Sequence, residues 1–391
     1  MASVCLYFQV HQPFRLKEYS FFHIGRDYAY DNDTVNLQIL NRVADKCYIP
    51  ANNLLLNLIA KHKGAFKIAF SLSGVLLEQL QKARPDVINS FKALVDTGCV
   101  EILAETYYHT LAFHYSSEEF DRQVKLHADI VKATLGVNPT VFRNTELVYN
   151  NYLGTHIKNL GYKAILSEGT ERVLGDRSAN HVYKTTSGIP LLLRNYKLTD
   201  DVAFRFQDKN WSEYPLTATK YSNWLQTEFS KGAETINLFM DFETFGEHQW
   251  ADSGIFGFIE ALPTELLAQN IQFLTPTETV NAYTAKDEVI VNDSISWADL
   301  ERDLSAWRNN SMQYESLEKL YAFEQQVVAK NNPDLYHTWA KLQTSDHFYY
   351  MSTKHAGDGA VHSYFSPYKS PYDAYLYYMN ILSDFEIRLN R

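Results

Sequence analysis

The chain has 391 residues, 46% of them hydrophobic, so it can bury a sizeable core and is too apolar for a disordered or fibrous protein. Its formal net charge of −10 lacks the positive excess expected of a general nucleic-acid binder or of a protein attracted to anionic membranes. No apolar run approaches the roughly 20 residues of a membrane-spanning helix. We therefore expect neither nucleic acid nor a membrane as a partner.

Short apolar runs alternate with helical stretches through most of the sequence. The runs predicted as strands are residues 3–10, 66–71, 100–104, 140–143, 163–167, 190–194 and 236–241. The predicted helices between them are residues 35–61, 74–97, 118–135, 152–160 and 217–231. This alternation is typical of a parallel sheet, either closed into a barrel or doubly wound.

Helix boundaries carry their own signals. Ser116-Ser117-Glu118-Glu119 resembles a capping box, and Gly136 follows as a helix stop. Residues 275–278 read Thr-Pro-Thr-Glu, which puts Pro at the first helical position and Glu three residues after the cap.

The pattern changes after about Asn292. Residues 297–330, 334–350 and 372–389 are predicted helices with no strand between them. The sequence therefore predicts two parts, an α/β region over residues 1–291 and a C-terminal helical region over residues 292–391 packed against it.

Cysteine usage points to a reducing compartment. Cys5, Cys47 and Cys99 cannot all pair within one chain, and their spacing is not that of a zinc site. Cys5 and Cys99 lie in apolar runs, so we expect buried free thiols there. The N-terminal segment lacks the basic start and long apolar stretch of a signal peptide. A cytoplasmic location is the expectation.

Polar residues recur directly after several predicted strands. In barrels and open parallel sheets alike, the chemistry occurs at the carboxyl ends of the strands. The candidates in these positions are His11 and Gln12, Glu78, Glu105 and His109, Glu146, and Asp241 with Glu243.

Two of these strand ends carry the strongest catalytic signals. Arg143 precedes Glu146 by three residues, and a nearby guanidinium would hold that carboxylate ionised, as a nucleophile must be. Asp241 and Glu243 are two residues apart and point to the same side if the strand continues. Two like charges on one face raise one another's pKa, which keeps a carboxyl group protonated as a general acid.

Other chemistries find little support. The chain has no GxSxG elbow, P-loop, HExxH motif or GxGxxG after a strand. His109 and His114 are five residues apart, the wrong spacing for one helical face, so neither a metal nor another cofactor is expected.

Five short regions, in order, resemble the signature regions of glycoside hydrolase family 57, a family of α-amylase-like enzymes. They are residues 11–13 (HQP), 74–78 (within GVLLEQL), 142–146 (within FRNTELVYNN), 240–248 (MDFETFGEH) and 296–307 (SWADLERDLSAW). Residues 342–348 are also similar to the family, so the resemblance spans essentially the whole chain.

The resemblance implies an incomplete (β/α)7 barrel followed by a C-terminal α-helical bundle that helps to close the cleft. It also implies cleavage or transfer of α-glucosidic bonds with retention of configuration, with Glu146 as nucleophile and Asp241 as general acid and base. The predicted substrate-binding residues are His11, Gln12, Glu78, His109, Glu243, Trp297, Trp307, Asp346 and His347.

The leading hypothesis is therefore a retaining α-glucan hydrolase acting mainly on α-1,4 bonds of glucans or maltooligosaccharides. A 4-α-glucanotransferase using the same site is the close alternative, because motif residues do not decide between water and a sugar as acceptor. A metal-dependent polysaccharide deacetylase and a non-catalytic glucan-binding protein are weaker alternatives. The oligomeric state is left open.

Overall fold

A parallel sheet forms the centre of the molecule, for which a computed structural model describes residues 2–354 and 366–391. Its nine strands are β1 Ala2–Val10, β2 Ile68–Leu72, β3 Val100–Ile102, β4 Val141–Arg143, β5 Ala164–Glu168, β6 Val182–Lys184, β7 Pro190–Arg194, β8 Thr235–Asp241 and β9 Ile271–Phe273. Seven of them are joined in the order β3-β2-β1-β8-β7-β5-β4, all parallel. β9 adds to the start of β1, and β6 lies antiparallel to β7.

The two ends of this seven-stranded path meet just beyond β3. The Ala104 amide donates to the Val141 carbonyl at 2.9 Å, and the Ala104 carbonyl accepts from the Arg143 amide at 2.8 Å. The sheet thus nearly closes as a barrel. All seven predicted strands are confirmed, as is the incomplete (β/α)7 barrel with C-terminal helices; β6 and β9 were not predicted.

Sixteen helices of the described residues surround and follow the sheet. They are α1 Asp33–Val43, α2 Ile49–Lys61, α3 Gly74–Ala83, α4 Pro85–Asp96, α5 Ser117–Leu135, α6 Asn151–Asn159, α7 Glu171–Leu174, α8 Tyr196–Ala203, α9 Ala218–Ser230, α10 Ile255–Ala268, α11 Pro276–Ala282, α12 Ser311–Ala322, α13 Glu324–Lys330, α14 Pro333–Leu342, α15 Ser345–Tyr349 and α16 Pro371–Leu389. Within these residues, no helix has the length and apolar character needed to cross a membrane.

Four predicted helices are each divided in the structure. The stretch 297–330 is interrupted at Phe323, between α12 and α13, and the stretch 334–350 at Gln343 and Thr344, between α14 and α15. The stretch 35–61 contains a π-helical turn, Ala44–Tyr48, between α1 and α2. The stretch 74–97 breaks at Arg84, whose φ of −141° and ψ of 60° are not helical. A residue before proline is disfavoured in the α conformation, and Pro85 then starts α4.

The prediction of a helix starting at residue 297 is wrong. Residues 297–310 form an irregular loop in which Asp299 and Arg302 take left-handed φ values of 56° and 50°. Helix α12 starts only after Asn310, which forms a capping box with Gln313. The helical spacing of apolar residues in this segment is overridden by contacts that Trp297 makes with the barrel.

Alternation along β1 decides which residues fill the barrel. Cys5 and Tyr7 pack in its interior, whereas Val4, Leu6 and Phe8 face the surrounding helices. This period of two is that of a strand buried on both faces. The three cysteines are free and buried, which confirms the prediction for Cys5 and Cys99.

The C-terminal helices share a hydrophobic core with the loops that leave the sheet. Trp307, Trp339 and Phe348 belong to one buried cluster with Leu111 and Val148, which follow β3 and β4. The helices are therefore packed onto the carboxyl end of the barrel.

Candidate active site

A cleft of about 420 Å³ opens at the carboxyl ends of the strands. Its lining combines residues that follow β1, β4 and β8 with residues of the 297–310 loop and of α15. The predicted site residues among them are His11, Gln12, Glu146, Asp241, Glu243, Trp297, Trp307 and Asp346.

Glu146 lies in a tight turn directly after β4 and has a left-handed φ of 57°. Its Oε1 accepts a hydrogen bond from His109 Nε2 at 2.9 Å, and its Oε2 accepts one from Trp297 Nε1 at 2.7 Å. Burial alone would raise the pKa of Glu146, but His109, Arg143 and Trp297 lower it. Glu146 is therefore held ionised in a strained, fixed geometry, and strain of this kind is common at functional sites.

His109 links two carboxylates and is itself fully buried. Its Nδ1 donates to Glu105 Oε2 at 3.0 Å while its Nε2 donates to Glu146. Burial would lower the pKa of His109, but the two carboxylates raise it to about 9, so the ring carries a positive charge at neutral pH. Burial would likewise raise the pKa of Glu105, but His109 and the charge of Arg143 lower it to about 2.

The His109 ring also stacks on His11, with ring centroids 3.9 Å apart. Burial and the charge of His109 lower the pKa of His11, so that this second ring is neutral. Its Nε2 donates to Asp346 Oδ2 at 3.0 Å, and the Ser73 hydroxyl lies 2.7 Å from its Nδ1. Burial would raise the pKa of Asp346, but contact with His11 and the charge of His109 hold it below its usual range. The C-terminal helix α15 thus orients a side chain that follows β1.

Asp241 ends β8, beside Gln9 of β1 in the strand register. Burial, followed by the negative charge of Glu146, raises its pKa to about 7, although Arg143 and Arg194 act in the opposite direction. Within the cleft, the pKa of Glu146 is therefore held low while that of Asp241 is raised.

Glu243 is buried beside the π-helical turn. The Tyr48 hydroxyl, at the end of that turn, donates to Glu243 Oε1, and burial with the charge of Asp241 raises the pKa of Glu243 to about 8. The turn also brings the Lys46 carbonyl against Gly246, whose φ is 108° and where a Cβ would lie 2.1 Å from that oxygen. Only glycine fits there.

The raised pKa of Asp241 was expected from its spacing to Glu243. In the structure, burial is the largest cause of the raised pKa of Asp241, and the charge of Glu146 is the second. The charge of Asp241 in turn raises the pKa of Glu243. Glu146 acts on Asp241 because the barrel brings the ends of β4 and β8 to one cleft, and local spacing in the sequence does not reveal this proximity.

An ionic cluster that forms part of the cleft wall, through Arg194, Asp200 and Arg302, was not predicted. Glu168 at the end of β5 accepts from Arg194 Nη1 and from Arg302 Nη1, each at 3.0 Å. The same two arginines bond Asp200 on α8. Glu168 and Arg194 lie at strand ends, so their positions in the sequence could have identified them as members of the site. Arg302 could not be found in this way, because it comes from the loop that was predicted to be helical.

Trp297 packs against two arginines, Arg143 and Arg194, both of which lower the pKa of Asp241. The guanidinium of Arg143 is 5.1 Å from its ring centroid, and that of Arg194 is 5.7 Å away. These cation–π contacts, with the hydrogen bond to Glu146, explain why residue 297 belongs to a loop rather than to a helix.

Some predicted binding residues lie apart from the cleft surface. Glu78 does not line the cleft but pairs with His337 Nε2 at 3.2 Å and contacts the Tyr107 hydroxyl. His347 is buried with Nε2 3.2 Å from the Lys341 carbonyl, and His109 lies behind Glu146 rather than in the lining. Gln12 lines the cleft and accepts from Arg15 at 2.9 Å. Across residues 2–354 and 366–391, no group of three or more His, Cys, Asp or Glu is arranged to hold a metal ion.

Comparison with known proteins identifies relatives of this chain. A model of glycosyl hydrolase family 57 matches residues 5–292. A protein of Methanocaldococcus jannaschii named "Putative alpha-amylase" is 43% identical over 392 residues, covering 97% of this chain and 83% of that protein.

Solved structures share the fold at lower identity. A branching enzyme of the same family from Pyrococcus horikoshii has a TM-score of 0.70 at 14% identity, over 93% of this chain and 87% of that one. A 4-alpha-glucanotransferase from Thermococcus litoralis has a TM-score of 0.66 at 15% identity, over 89% of this chain. The chain spans 56% of the length of that glucanotransferase.

Proposed function

Because the chain belongs to glycosyl hydrolase family 57 and is a glycoside hydrolase, we propose that it hydrolyses α-1,4 bonds of α-glucans with retention of anomeric configuration. Glu146 is the proposed nucleophile and Asp241 the proposed general acid and base. The observation that carries this proposal is the pair of carboxyl groups in one cleft, one ionised and one with a pKa raised to about 7. Pairs of carboxyls pushed apart in pKa are the usual basis of glycosidase chemistry.

In the first step, a carboxylate oxygen of Glu146 attacks the anomeric carbon while Asp241 protonates the leaving glycosidic oxygen. The bond from the anomeric carbon to that oxygen breaks, and its electron pair stays with the oxygen that takes the proton. Trp297 and His109 each bond one oxygen of Glu146, so its orientation and ionisation are prepared before substrate binds.

In the second step, water attacks the same carbon and Glu146 leaves. The covalent intermediate removes the charge of Glu146, which is one of the causes of the raised pKa of Asp241. The pKa of Asp241 therefore falls when the ester forms, and its carboxylate then accepts a proton from the attacking water. One residue thus serves as acid and afterwards as base.

Substrate binding is assigned to the remaining cleft residues. His11, Gln12 and Glu243 lie on the barrel side, and Trp307 and Asp346 come from residues 292–391. This division favours a C-terminal part that completes the cleft and holds the glucan against the barrel.

Hydrolysis is favoured over transfer by the relative from Methanocaldococcus jannaschii. At 43% identity over 97% of the chain, it bears an α-amylase name, whereas the transferring enzymes share only the fold. A 4-α-glucanotransferase activity on the same site would appear as maltooligosaccharides longer than the substrate.

The test is product analysis on maltoheptaose and glycogen, with the anomeric configuration of the first products followed by NMR. We expect shorter α-configured products, loss of turnover in Glu146→Gln, and normal turnover in Glu260→Gln, a matched change at an exposed position on α10. Products of β-configuration, or full activity in Glu146→Gln, would refute the mechanism.

A further inference from the structure

A second concave surface lies outside the catalytic cleft. It is an open groove of about 610 Å³ between the chain that leads into α5 and the exposed side of α6, and it shares no lining residue with the cleft. We call it the α5–α6 groove. Tyr152 on α6 stands over it with 77% of its surface exposed.

The other aromatic side chains of the α5–α6 groove are held in place. Phe113 packs on Phe120 and His156, with centroid distances of 5.2 and 5.6 Å. Tyr115 stacks on Tyr321 of α12 at 4.4 Å with an interplanar angle of 6°. A ligand would therefore meet a preformed surface and need not order it.

Among the described residues, the lining is aromatic and polar and includes no Asp, Glu, Lys or Arg; the carboxylate of Asp121, which bonds the lining residue His156, is not itself part of it. Ser117, Thr155 and Asn159 supply hydroxyl and amide groups. His114 stays neutral because burial and the nearby Arg308 lower its pKa to about 4. Such a surface suits an uncharged ligand with one apolar face and many hydroxyl groups, which describes a pyranose ring.

The α5–α6 groove starts on the side of the barrel where the strands end and runs along α6 from Tyr152 to Asn159. Helices α5 and α6 begin just after the loops that follow β3 and β4, and those loops carry His109 and Glu146. We propose that this groove is a second α-glucan-binding site, which holds one part of a long glucan while another part occupies the cleft. The inference rests on the proposed function and adds to it a preference for long or branched substrates.

Tyr152→Ala tests the groove, and because this ring is exposed its removal leaves no cavity in the core. Tyr372→Ala is the matched control, since Tyr372 is also the second residue of a helix and is 68% exposed. Tyr152→Phe keeps the ring and removes only the hydroxyl.

Binding of each variant to glycogen is measured by affinity electrophoresis, and kcat/KM is measured on glycogen and on maltotetraose. We expect Tyr152→Ala to bind glycogen about tenfold more weakly, as the loss of one stacking ring implies, with unchanged kcat/KM on maltotetraose. Tyr152→Phe and Tyr372→Ala should bind as the unaltered chain does.

Equal glycogen binding by Tyr152→Ala and the unaltered chain overturns the second site while leaving the proposed function intact. An equal loss on glycogen and maltotetraose overturns it as well, because the residue would then act on the cleft. If the unaltered chain neither binds nor cleaves any α-glucan, the proposed function fails together with this inference.

Discussion

Replacing Asp241 by Asn should abolish efficient turnover and stabilise the fold at the same time. The amide keeps the shape of the side chain but cannot donate a proton as an acid, so kcat should fall most for substrates with poor leaving groups. The same change removes a carboxyl group whose ionisation the folded state opposes, because burial and the charge of Glu146 raise its pKa to about 7.

The stability gain follows from the shift in pKa. Since the folded pKa is about 7 against a reference of 3.8, the folded chain binds the proton more tightly than the unfolded chain, and stability falls as pH rises from 3.8 to 7. A shift of about 3 units corresponds to at most about 4 kcal/mol above pH 7. Partial exposure of Asp241 to the cleft reduces this value through screening. The side chain of Asn does not ionise, so Asp241→Asn does not lose this stability as the pH rises.

The measurement is the free energy of unfolding in denaturant at several pH values from 4 to 8.5, for the unaltered chain and Asp241→Asn. The difference should be near zero at pH 4, grow through pH 6 and level off above pH 7, with Asp129→Asn, an exposed position on α5, showing no such trend. A pH-independent difference, or a variant less stable than the unaltered chain at pH 8, would show that the folded state does not oppose ionisation of Asp241.

Four further outcomes are expected. The pH profile of kcat/KM should fall below pH 4.5, where Glu146 gains a proton, and should fall tenfold per pH unit above about pH 7, where Asp241 loses its proton. A kcat/KM that still rises at pH 8 would contradict these roles. Trp297→Phe keeps an aromatic ring beside the arginines but loses the hydrogen bond to Glu146, so kcat/KM should drop about 10- to 100-fold. A loss below threefold would show that this hydrogen bond is unimportant. Glu146→Ala with added azide should release the inverted glycosyl azide, and a retained azide would point to a different nucleophile. Deleting residues 292–391 removes the Trp297 and Asp346 contacts and uncovers apolar barrel surface, so activity and solubility should both be lost; soluble residues 1–291 with normal turnover would contradict the proposed role of the C-terminal part.

Local sequence patterns were sufficient for the barrel and for several residues that line the cleft at the carboxyl ends of its strands. Seven apolar runs became the seven strands, because a buried parallel strand needs a short continuous apolar stretch and little else. Glu146, Asp241 and His11 were identified by their position after those strands, since carboxyl ends of parallel strands share one edge. The Pro and Glu of residues 275–278 likewise formed the predicted helix cap.

What the patterns missed depends on groups far apart in the chain. The apolar spacing of residues 297–310 resembles a helix, yet Trp297 is held by Glu146 and the two arginines, so its segment is a loop. Glu78 follows β2 as expected but is drawn to His337 of α14 and away from the cleft. The pKa of Asp241 is raised first by burial and then by the charge of Glu146, which lies 95 positions earlier in the chain. Charge interactions act through space, so only the closed barrel and its C-terminal helices decide which carboxyl group keeps its proton.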